Sequence, residues 1–215
     1  MEELDLLKKD WKKKESTYPK LSFDEIYNLI HKKSSSIVKW LLIICIAELV
    51  FWSALNLFFP DSSFAIFEEF NLMGFLKVTY IIYYLVLFGF IYLFYRNYKA
   101  ISVTDTTKKL MNNILKTRKT VKYYIIFNIA GFIILSVLMN TFFLINPEHL
   151  LDFYREQYNI SIDINPETFV KTFIIIQVIT IIIASLFIWV FYRIIYGILI
   201  KRLKKNYKEL ASLEI

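Results

Sequence analysis

The sequence predicts an all-α integral membrane protein, a four-helix bundle of two similar transmembrane hairpins with helical extensions into the cytoplasm. Three observations predict this class. The 215 residues are 57% hydrophobic, against about 45–50% in soluble domains. The apolar residues lie in four long blocks. Lysine and arginine lie almost entirely in the segments on one side of those blocks.

Each apolar block exceeds the ~20 residues that an α-helix needs to cross ~30 Å of hydrocarbon. Because backbone groups in lipid must bond within their own segment, each block is predicted to be a helix. The predicted spans are residues 37–59, 72–95, 122–145 and 170–196. They belong to a membrane domain of residues 37–200, between a helical N-terminal arm (1–36) and a helical tail (201–215).

The distribution of Lys and Arg predicts the orientation of the spans. Eight precede Ile37, eight lie in residues 96–122 and five lie in residues 201–215. Residues 60–71 have none, and residues 146–169 have only Arg155. By the positive-inside rule, both termini are predicted to be cytoplasmic. The net charge of +7 then reflects topology and contact with anionic lipid at the cytoplasmic face, and we expect no nucleic acid partner.

Three local motifs predict helix starts outside the spans. Ser22 and Glu25 have the spacing of a capping box. The run Asn146–Glu148 combines an Asn cap, Pro at the first helical position and an acid in the first turn. It predicts a helix over Pro147–Tyr158, lying on the outer membrane surface. Asn165–Glu167 repeats the signal and predicts the start of the fourth spanning helix.

The segments predicted to be cytoplasmic also have apolar residues at helical spacing, which indicates that helices protrude as a small bundle. These residues are Leu4, Leu7 and Trp11 in the arm, then Ile26, Leu29 and Ile30, then Leu110, Met111, Ile114 and Leu115 in the loop 96–121, and Leu199, Leu203, Leu210 and Leu213 near the C-terminus.

The two predicted hairpins resemble each other in sequence. Val38–Trp40 aligns with Val121–Tyr123 at the start of the first and third spans. The second and fourth spans both close with Phe-Tyr-Arg, at Phe94–Arg96 and Phe191–Arg193. Either one hairpin was duplicated, or apolar segments align by chance. A duplication would relate the hairpins by a pseudo-two-fold axis along the membrane normal.

Glu48 is the most informative single residue, because it lies near the middle of the first span. A charged side chain at that depth costs roughly 2.5–3.5 kcal/mol on insertion scales. We therefore expect it to face the bundle interior and to form a hydrogen bond there, with Tyr83 or Tyr84 at matching depth on the second span. It is either a proton or cation site or a structural hydrogen bond that locks two helices.

Two further polar residues lie within spans. Asn128 and Gln177 are predicted at different depths, near the inner and outer faces respectively. Side chains of this type commonly form hydrogen bonds between membrane helices. The alternative is that they line a path together with Glu48.

The residues that enzymes and metal sites need are scarce. His31 and His149 are the only histidines and are predicted on opposite sides of the membrane, each on a solvated face. His149 lies near Glu148 and Asp152, a spacing that matches no specific metal pattern. The sequence contains neither a Gly-rich phosphate loop nor H-E-x-x-H. We therefore expect neither an enzyme nor a cofactor or metal site.

Three N-terminal stretches carry a family resemblance: Leu4–Lys12, Asp24–Tyr27 and His31–Trp40. With them the chain resembles an uncharacterised group of four-helix inner-membrane proteins from flavobacteria and their relatives. The resemblance implies a bacterial inner membrane. Some members are labelled beta-carotene monooxygenase, but that chemistry needs an iron site of several histidines, which two histidines cannot form. Other members are encoded beside a sigma factor.

Two functions remain open at this stage. The first is a membrane-anchored regulatory or scaffolding protein whose basic cytoplasmic helices bind a partner, a sigma factor being the sharpest version. The second is a small transporter or channel component that uses Glu48. A homodimer would favour the second function, since eight helices can enclose a cavity.

Overall fold

The chain is a bundle of long helices. The computed structural model describes residues 22–56, 58, 60–104, 106–159 and 164–213. Within these ranges no strand occurs, and α1, α3, α4 and α6 are long and apolar enough to cross a membrane. This confirms the predicted class, a multi-pass membrane helical bundle. The elements are α1 (Phe23–Asn56), a 3₁₀ turn (Asp61–Phe64), α2 (Ala65–Glu69), α3 (Met73–Ser102), α4 (Thr107–Ile145), α5 (Pro147–Tyr158) and α6 (Pro166–Leu213).

The four long helices all continue past their predicted spans at one end of the bundle. We call this the basic end and define it as residues 22–36, 96–104, 106–121 and 201–213. The opposite end, residues 60–72, 146–159 and 164–169, is called the acidic end. The helical extensions predicted for the basic end are therefore present wherever the structure describes them. The stretch predicted around Leu4, Leu7 and Trp11 lies outside the described residues.

Two of the predicted helix starts have their expected caps. The Ser22 backbone N–H donates to the Glu25 carboxylate at 2.8 Å, and the Glu25 N–H donates to the Ser22 hydroxyl at 3.3 Å. Each residue thus satisfies a backbone donor that the first turn leaves free. At the start of α6, the Glu167 N–H donates to Asn165 Oδ1 at 2.9 Å.

The third predicted cap is wrong in its detail. The helix Pro147–Tyr158 has the predicted bounds, with Pro at its start. The Asn146 side chain, however, does not cap it. Its Nδ2 group donates instead to the Phe142 carbonyl at 2.9 Å, one turn back in α4. Asn146 follows α4 directly, so its side chain satisfies a carbonyl that the end of α4 leaves without a helical partner.

The four long helices form a square in which each packs on two others. α1 packs on α3 and α6, and α4 packs on α3 and α6, whereas α1 and α4 touch only slightly across the diagonal. α5 packs against α6 at the acidic end. A bundle with this arrangement buries side chains that point towards its axis from all four helices.

The main core fills the basic half of the bundle. It runs from the middle of the predicted spans into the extensions, where Ile30, Leu110, Leu203 and Leu210 are buried. The apolar residues of the extensions thus pack on each other, as their helical spacing predicts. Two of the predicted residues are exceptions: Leu29, expected on the same face as Ile30, is 45% exposed, and Leu115 is 37% exposed. The remaining core residues are Ile37, Val38, Leu41, Cys45, Leu87, Phe94, Ile101, Ile114, Val121, Tyr124, Tyr192 and Tyr196.

Side-chain hydrogen bonds link the helices within this basic half. Asn206 of α6 donates to the Ser34 hydroxyl of α1 at 2.9 Å, and both side chains are buried. Asn97 of α3 donates to the Thr120 hydroxyl of α4 at 2.9 Å. A buried polar group without a partner costs about 1–3 kcal/mol, so these pairs favour one register of the helices.

His31 is not on a solvated face, contrary to the sequence prediction. It is half-buried, and its Nε2–H donates to the Ile101 carbonyl at 2.7 Å. One turn earlier, the Tyr27 hydroxyl donates to the Thr104 carbonyl at 3.0 Å. Both acceptors lie at the C-terminal end of α3, where carbonyls lack helical partners. α1 therefore caps α3 through two side chains.

The acidic half of the bundle is more open. In the most apolar 18-residue stretch of α4, and likewise of α6, no residue is buried. A small second core closes the acidic end itself, where Phe70, Phe143, Leu150 and Val170 pack together. The bundle thus has a tightly packed basic half, and a more open region lies between the main core and the second core at the acidic end.

The proposed hairpin repeat agrees with burial in one pair of spans and not in the other. Val38 and Val121 are both buried, as aligned positions should be. In the Phe-Tyr-Arg motif of α3, Phe94 is buried and the tyrosine is exposed. In the copy on α6, Tyr192 is buried instead. The second and fourth spans therefore present different faces of the same motif, and duplication stays a prediction.

Candidate intramembrane site

Glu48 is buried between the helices, as its position in an apolar span predicts. Only 7% of its surface is exposed. The Tyr124 hydroxyl of α4 donates to its Oε2 atom at 2.5 Å. This bond crosses the diagonal of the bundle, and a short O–H···O contact to a carboxyl group is typical of a strong hydrogen bond.

The expected partners of Glu48, Tyr83 and Tyr84, bond elsewhere. The Tyr83 hydroxyl donates to Asn128 Oδ1 at 3.0 Å, and the Tyr84 hydroxyl lies 3.2 Å from the Ser53 hydroxyl. Both tyrosines lie at the depth of Glu48, as predicted. The rotation of α3, however, turns the Tyr83 hydroxyl towards Asn128 of α4 and the Tyr84 hydroxyl towards Ser53 of α1. The prediction that one of them is the partner of Glu48 is therefore wrong.

Asn128 joins this group of polar side chains. It accepts from Tyr83, and its Nδ2 group donates to the Tyr124 carbonyl at 2.9 Å. It thus connects α3 to the turn of α4 that carries the partner of Glu48. Gln177 lies apart from the group. It is half-exposed on α6, and among the described residues its side chain has no hydrogen-bond partner.

Two tyrosines of α6 complete the surroundings of the carboxyl group. The rings of Tyr192 and Tyr196 lie 6.0 and 5.7 Å from the ring of Tyr124, centroid to centroid. Both hydroxyls also lie close to the Glu48 carboxyl group. The Tyr196 hydroxyl is buried and has no partner that meets strict hydrogen-bond geometry among the described residues. Tyr124, Tyr192 and Tyr196 were not predicted from the sequence as neighbours of Glu48. The sequence feature that could have indicated them is the presence of tyrosines within apolar spans, because the hydroxyl of a buried Tyr usually needs a hydrogen-bond partner.

The polar group keeps unused hydrogen-bonding capacity. Among the described residues, Glu48 Oε1 and the Tyr196 hydroxyl are buried and have no partner. Buried polar atoms in folded proteins are nearly always paired with protein or water. A proton, a cation or a hydrogen-bond donor could bind at Oε1, while the Tyr196 hydroxyl oxygen could accept from the same ligand.

A cavity lies next to Glu48. Its volume is about 60 Å³. About 10–15 Å³ of such space is enough to hold one water molecule. Glu48, Leu87, Tyr124 and Tyr192 are its buried part, whereas Trp52 and Tyr80 are 48% and 42% exposed. The remaining lining residues are Leu49, Ser53, Tyr83 and Tyr84.

The positions of the lining residues give the cavity a direction. Trp52 is one turn further than Glu48 along α1 towards the acidic end, and Tyr80 lies two turns from the start of α3. Exposed residues therefore mark a mouth between α1 and α3 on the acidic side. On the basic side of Glu48, Leu41, Cys45 and Phe94 are fully buried in the main core.

His149 serves a different place in the fold. Its Nε2 atom lies 3.4 Å from Glu69 Oε1, and its ring stands edge-on to Phe70 at 4.4 Å. It ties α5 to the end of α2. The neighbouring acid Asp152 pairs with Arg155 instead. Across the described ranges, no three His, Cys, Asp or Glu side chains are grouped closely enough to hold a metal ion.

Comparison with known proteins identifies a family for nearly the whole chain. Residues 24–215 match the family described as a domain of unknown function, DUF8845. The chain belongs to that family. No curated protein and no solved structure matches it.

Proposed function

We propose that this member of the DUF8845 family is a small membrane transporter component in which Glu48 binds the transported proton or cation. One observation carries the proposal. Glu48 lines a cavity, and its Oε1 atom is buried and has no hydrogen-bond partner among the described residues. A structural hydrogen bond alone would require neither the cavity nor an unpaired oxygen. Ionisable residues within membrane spans commonly mark ion and proton pathways.

The proposed path has an open side and a closed side. A ligand reaches Glu48 from the acidic end, past Trp52 and Tyr80. The core around Leu41, Cys45 and Phe94 blocks further passage. Transport then requires a second state in which the basic half opens and the mouth closes. A homodimer would assist, since a second copy could cover the open side of the cavity within the membrane.

The test is ion flux into proteoliposomes that contain an entrapped pH-sensitive dye, under an imposed membrane potential. Glu48→Gln keeps the shape of the side chain but removes its ionisable group. We expect flux in the native protein above that of protein-free vesicles, and loss of most of it in this variant. Glu68→Gln is the matched control, because Glu68 is an exposed acid at the acidic end. Equal flux in the native protein and Glu48→Gln would sink the proposal.

We also propose a bacterial inner membrane as the location, with both termini cytoplasmic. The support is the charge at the basic end, which positive-inside sorting keeps in the cytoplasm. Ser62 and Ser212 are exposed residues at the acidic and basic ends. With a membrane-impermeant maleimide on intact cells, Ser62→Cys should be labelled at once and Ser212→Cys only after permeabilisation. The native chain gives the background, because its one cysteine, Cys45, is buried. The reverse pattern would invert the orientation.

A second function, a membrane-anchored regulatory or scaffolding protein, is favoured by a different observation. Lysine and arginine side chains cover the basic end, and in the described part of that end only Lys205 forms an ion pair, with Glu209 at 3.7 Å. Because the apolar faces of the extensions are buried in their own core, recognition there would depend on charge. The partner would then be an acidic cytoplasmic protein, for which a sigma factor remains the sharpest candidate, or anionic lipid.

This second function is tested by purifying the tagged protein from membranes at low salt. The native protein should retain an acidic protein that is lost when Lys204, Lys205 and Lys208 are changed to Gln. The control variant changes Lys171, an exposed lysine near the acidic end, to Gln. Recovery of lipid alone would reject the protein partner.

A further inference from the structure

The walls of the Glu48 cavity are unusually rich in aromatic rings. Of its ten lining residues, Trp52, Tyr80, Tyr83, Tyr84, Tyr124 and Tyr192 are aromatic. Glu48 is the one acid among them. The face of an aromatic ring attracts a cation that has shed its water, and most strongly the face of Trp. The cavity therefore combines one carboxyl group with several surfaces that favour an organic cation.

A bare metal cation fits these walls poorly. Calcium takes about 6–8 oxygen ligands, and magnesium requires a near-octahedral set of them. The cavity offers one carboxyl group and a few hydroxyls, of which those of Tyr83 and Tyr84 already pair with Asn128 and Ser53. An organic ammonium needs fewer oxygens, because its alkyl groups can rest against rings.

We propose that the cavity binds an organic ammonium ion, either a protonated amine or a quaternary ammonium, with its charge next to the Glu48 carboxyl group. This inference rests on the proposed function, since it names the substrate class for the same site. The volume of about 60 Å³ accommodates a small head group only. The apolar remainder of the ligand lies in the mouth, against Trp52 and Tyr80, where α1 and α3 face the lipid.

The position of the mouth allows two sources for the same chemistry. A free amphiphilic amine could partition into the membrane and enter between α1 and α3. Alternatively, the head group of a choline or ethanolamine lipid could occupy the site. Both present an ammonium group with an apolar tail, and the composition of the surrounding bilayer distinguishes them.

The experiment measures binding of benzyltrimethylammonium by calorimetry, with the full chain in phosphatidylglycerol nanodiscs. We expect binding of this cation and at least tenfold weaker binding to Glu48→Gln, since hydrogen bonds and contacts to a charged group are each worth tenfold or more. Glu68→Gln is the control and should bind as the native protein does. Neopentylbenzene, in which carbon replaces the charged nitrogen, should bind at least tenfold more weakly than the cation.

A second set of variants tests the aromatic walls at positions whose exposure makes misfolding a minor concern. Trp52→Leu and Tyr80→Leu should weaken binding about three- to thirtyfold, the range expected for a cation over a ring. Trp52→Phe and Tyr80→Phe keep a ring and should stay within about threefold of the native affinity. If leucine and phenylalanine variants bind equally, or if the neutral isostere binds as well as the cation, the inference is overturned.

The same measurement in phosphatidylcholine nanodiscs identifies the source. Weaker probe binding there would mean that lipid head groups compete for the site, and equal binding would assign the site to free ammonium ions. Failure of the inference is distinct from failure of the proposed function. Glu48-dependent proton or sodium flux without binding of benzyltrimethylammonium would overturn the substrate class only. Binding without any Glu48-dependent flux would overturn transport and leave a ligand-binding protein.

Discussion

The Tyr124 hydroxyl donates a 2.5 Å hydrogen bond to Oε2 of Glu48 and so joins α4 to α1. These two helices occupy opposite corners of the bundle and otherwise touch only slightly. The bond therefore sets the distance between α1 and α4, which their few other contacts do not set. The other carboxyl oxygen, Oε1, is buried and has no hydrogen-bond partner among the described residues.

Removing this donor should destabilise the bundle. Tyr124→Phe leaves Oε2 of a buried carboxyl group unpaired, at an expected cost of about 1–3 kcal/mol. Tyr123→Phe is the control, since Tyr123 is the adjacent residue and is 62% exposed. Unfolding in mixed micelles measures both. Combining Tyr124→Phe with Glu48→Leu, which removes the acceptor, gives a double-mutant cycle, and a coupling energy near zero would mean that the bond contributes nothing to stability.

The buried pair of Ser34 and Asn206 should couple α1 to α6 in the same way. Asn206→Leu leaves the Ser34 hydroxyl without its donor, so we expect a loss of about 1–2 kcal/mol in unfolding free energy. Ser34→Ala in the same chain should restore part of it, because the unpaired hydroxyl is then gone. Asn112→Leu changes an exposed asparagine and serves as the control. A double variant less stable than Asn206→Leu alone would contradict this account.

The elements of the fold follow from length, hydropathy and capping motifs. The predicted bounds of Pro147–Tyr158 are those of α5, and the apolar spacing at Leu110 and Leu203 predicts the core of the basic end. At those positions the helices are amphipathic, so one face is marked by its residues. The partner of Glu48 could not be predicted, because a membrane helix is apolar all round and its sequence does not indicate which side faces inward. Depth along the helix was the remaining guide, and it pointed to Tyr83 and Tyr84 rather than Tyr124.

The cavity could not be predicted for a related reason. It exists because the helices pack tightly in the basic half and separate beyond Glu48, and that separation depends on the sizes of side chains from four helices at one level. Trp52 illustrates the ambiguity. From sequence it is one of several aromatic residues suited to a membrane interface, and in the structure it also lines the mouth of the cavity.

The hydrogen bond from His31 should stabilise the C-terminal end of α3 against local unfolding. His31→Phe keeps an aromatic ring beside Tyr27 but removes the donor to the Ile101 carbonyl. We expect the connection between α3 and α4 to open about three- to tenfold more often, which corresponds to the loss of one hydrogen bond. Trypsin cleavage at Lys99 and Lys108 of the purified protein reports that opening. The other histidine supplies the control, His149→Phe, and an unchanged cleavage rate in His31→Phe would show that the bond does not restrain this connection.

The capping box at the start of α1 should depend on pH. The Ser22 backbone N–H, followed by the Ser22 hydroxyl, stabilises the Glu25 carboxylate and lowers the pKa of Glu25 below its ordinary value of 4.5. A carboxyl group whose pKa is lowered by folding stabilises the folded form above its unfolded pKa, and this stabilisation is lost as the pH falls through the folded pKa. The first turn of α1 should therefore be stable at neutral pH and fray in acid.

Hydrogen exchange of the amides of residues 23–27 measures this fraying. At pH 6.5 the native chain should exchange more slowly than Glu25→Gln, whose neutral amide is a weaker acceptor for the Ser22 N–H. As the pH falls through the lowered pKa of Glu25, the difference between the two chains should disappear, because the carboxylate becomes protonated. Carbon-13 titration of the Glu25 carboxyl group should show a midpoint below 4.5 that moves towards it in Ser22→Ala, since the hydroxyl is lost while the backbone N–H remains. A midpoint at or above 4.5 in the native chain would mean that the carboxylate does not cap α1 in solution.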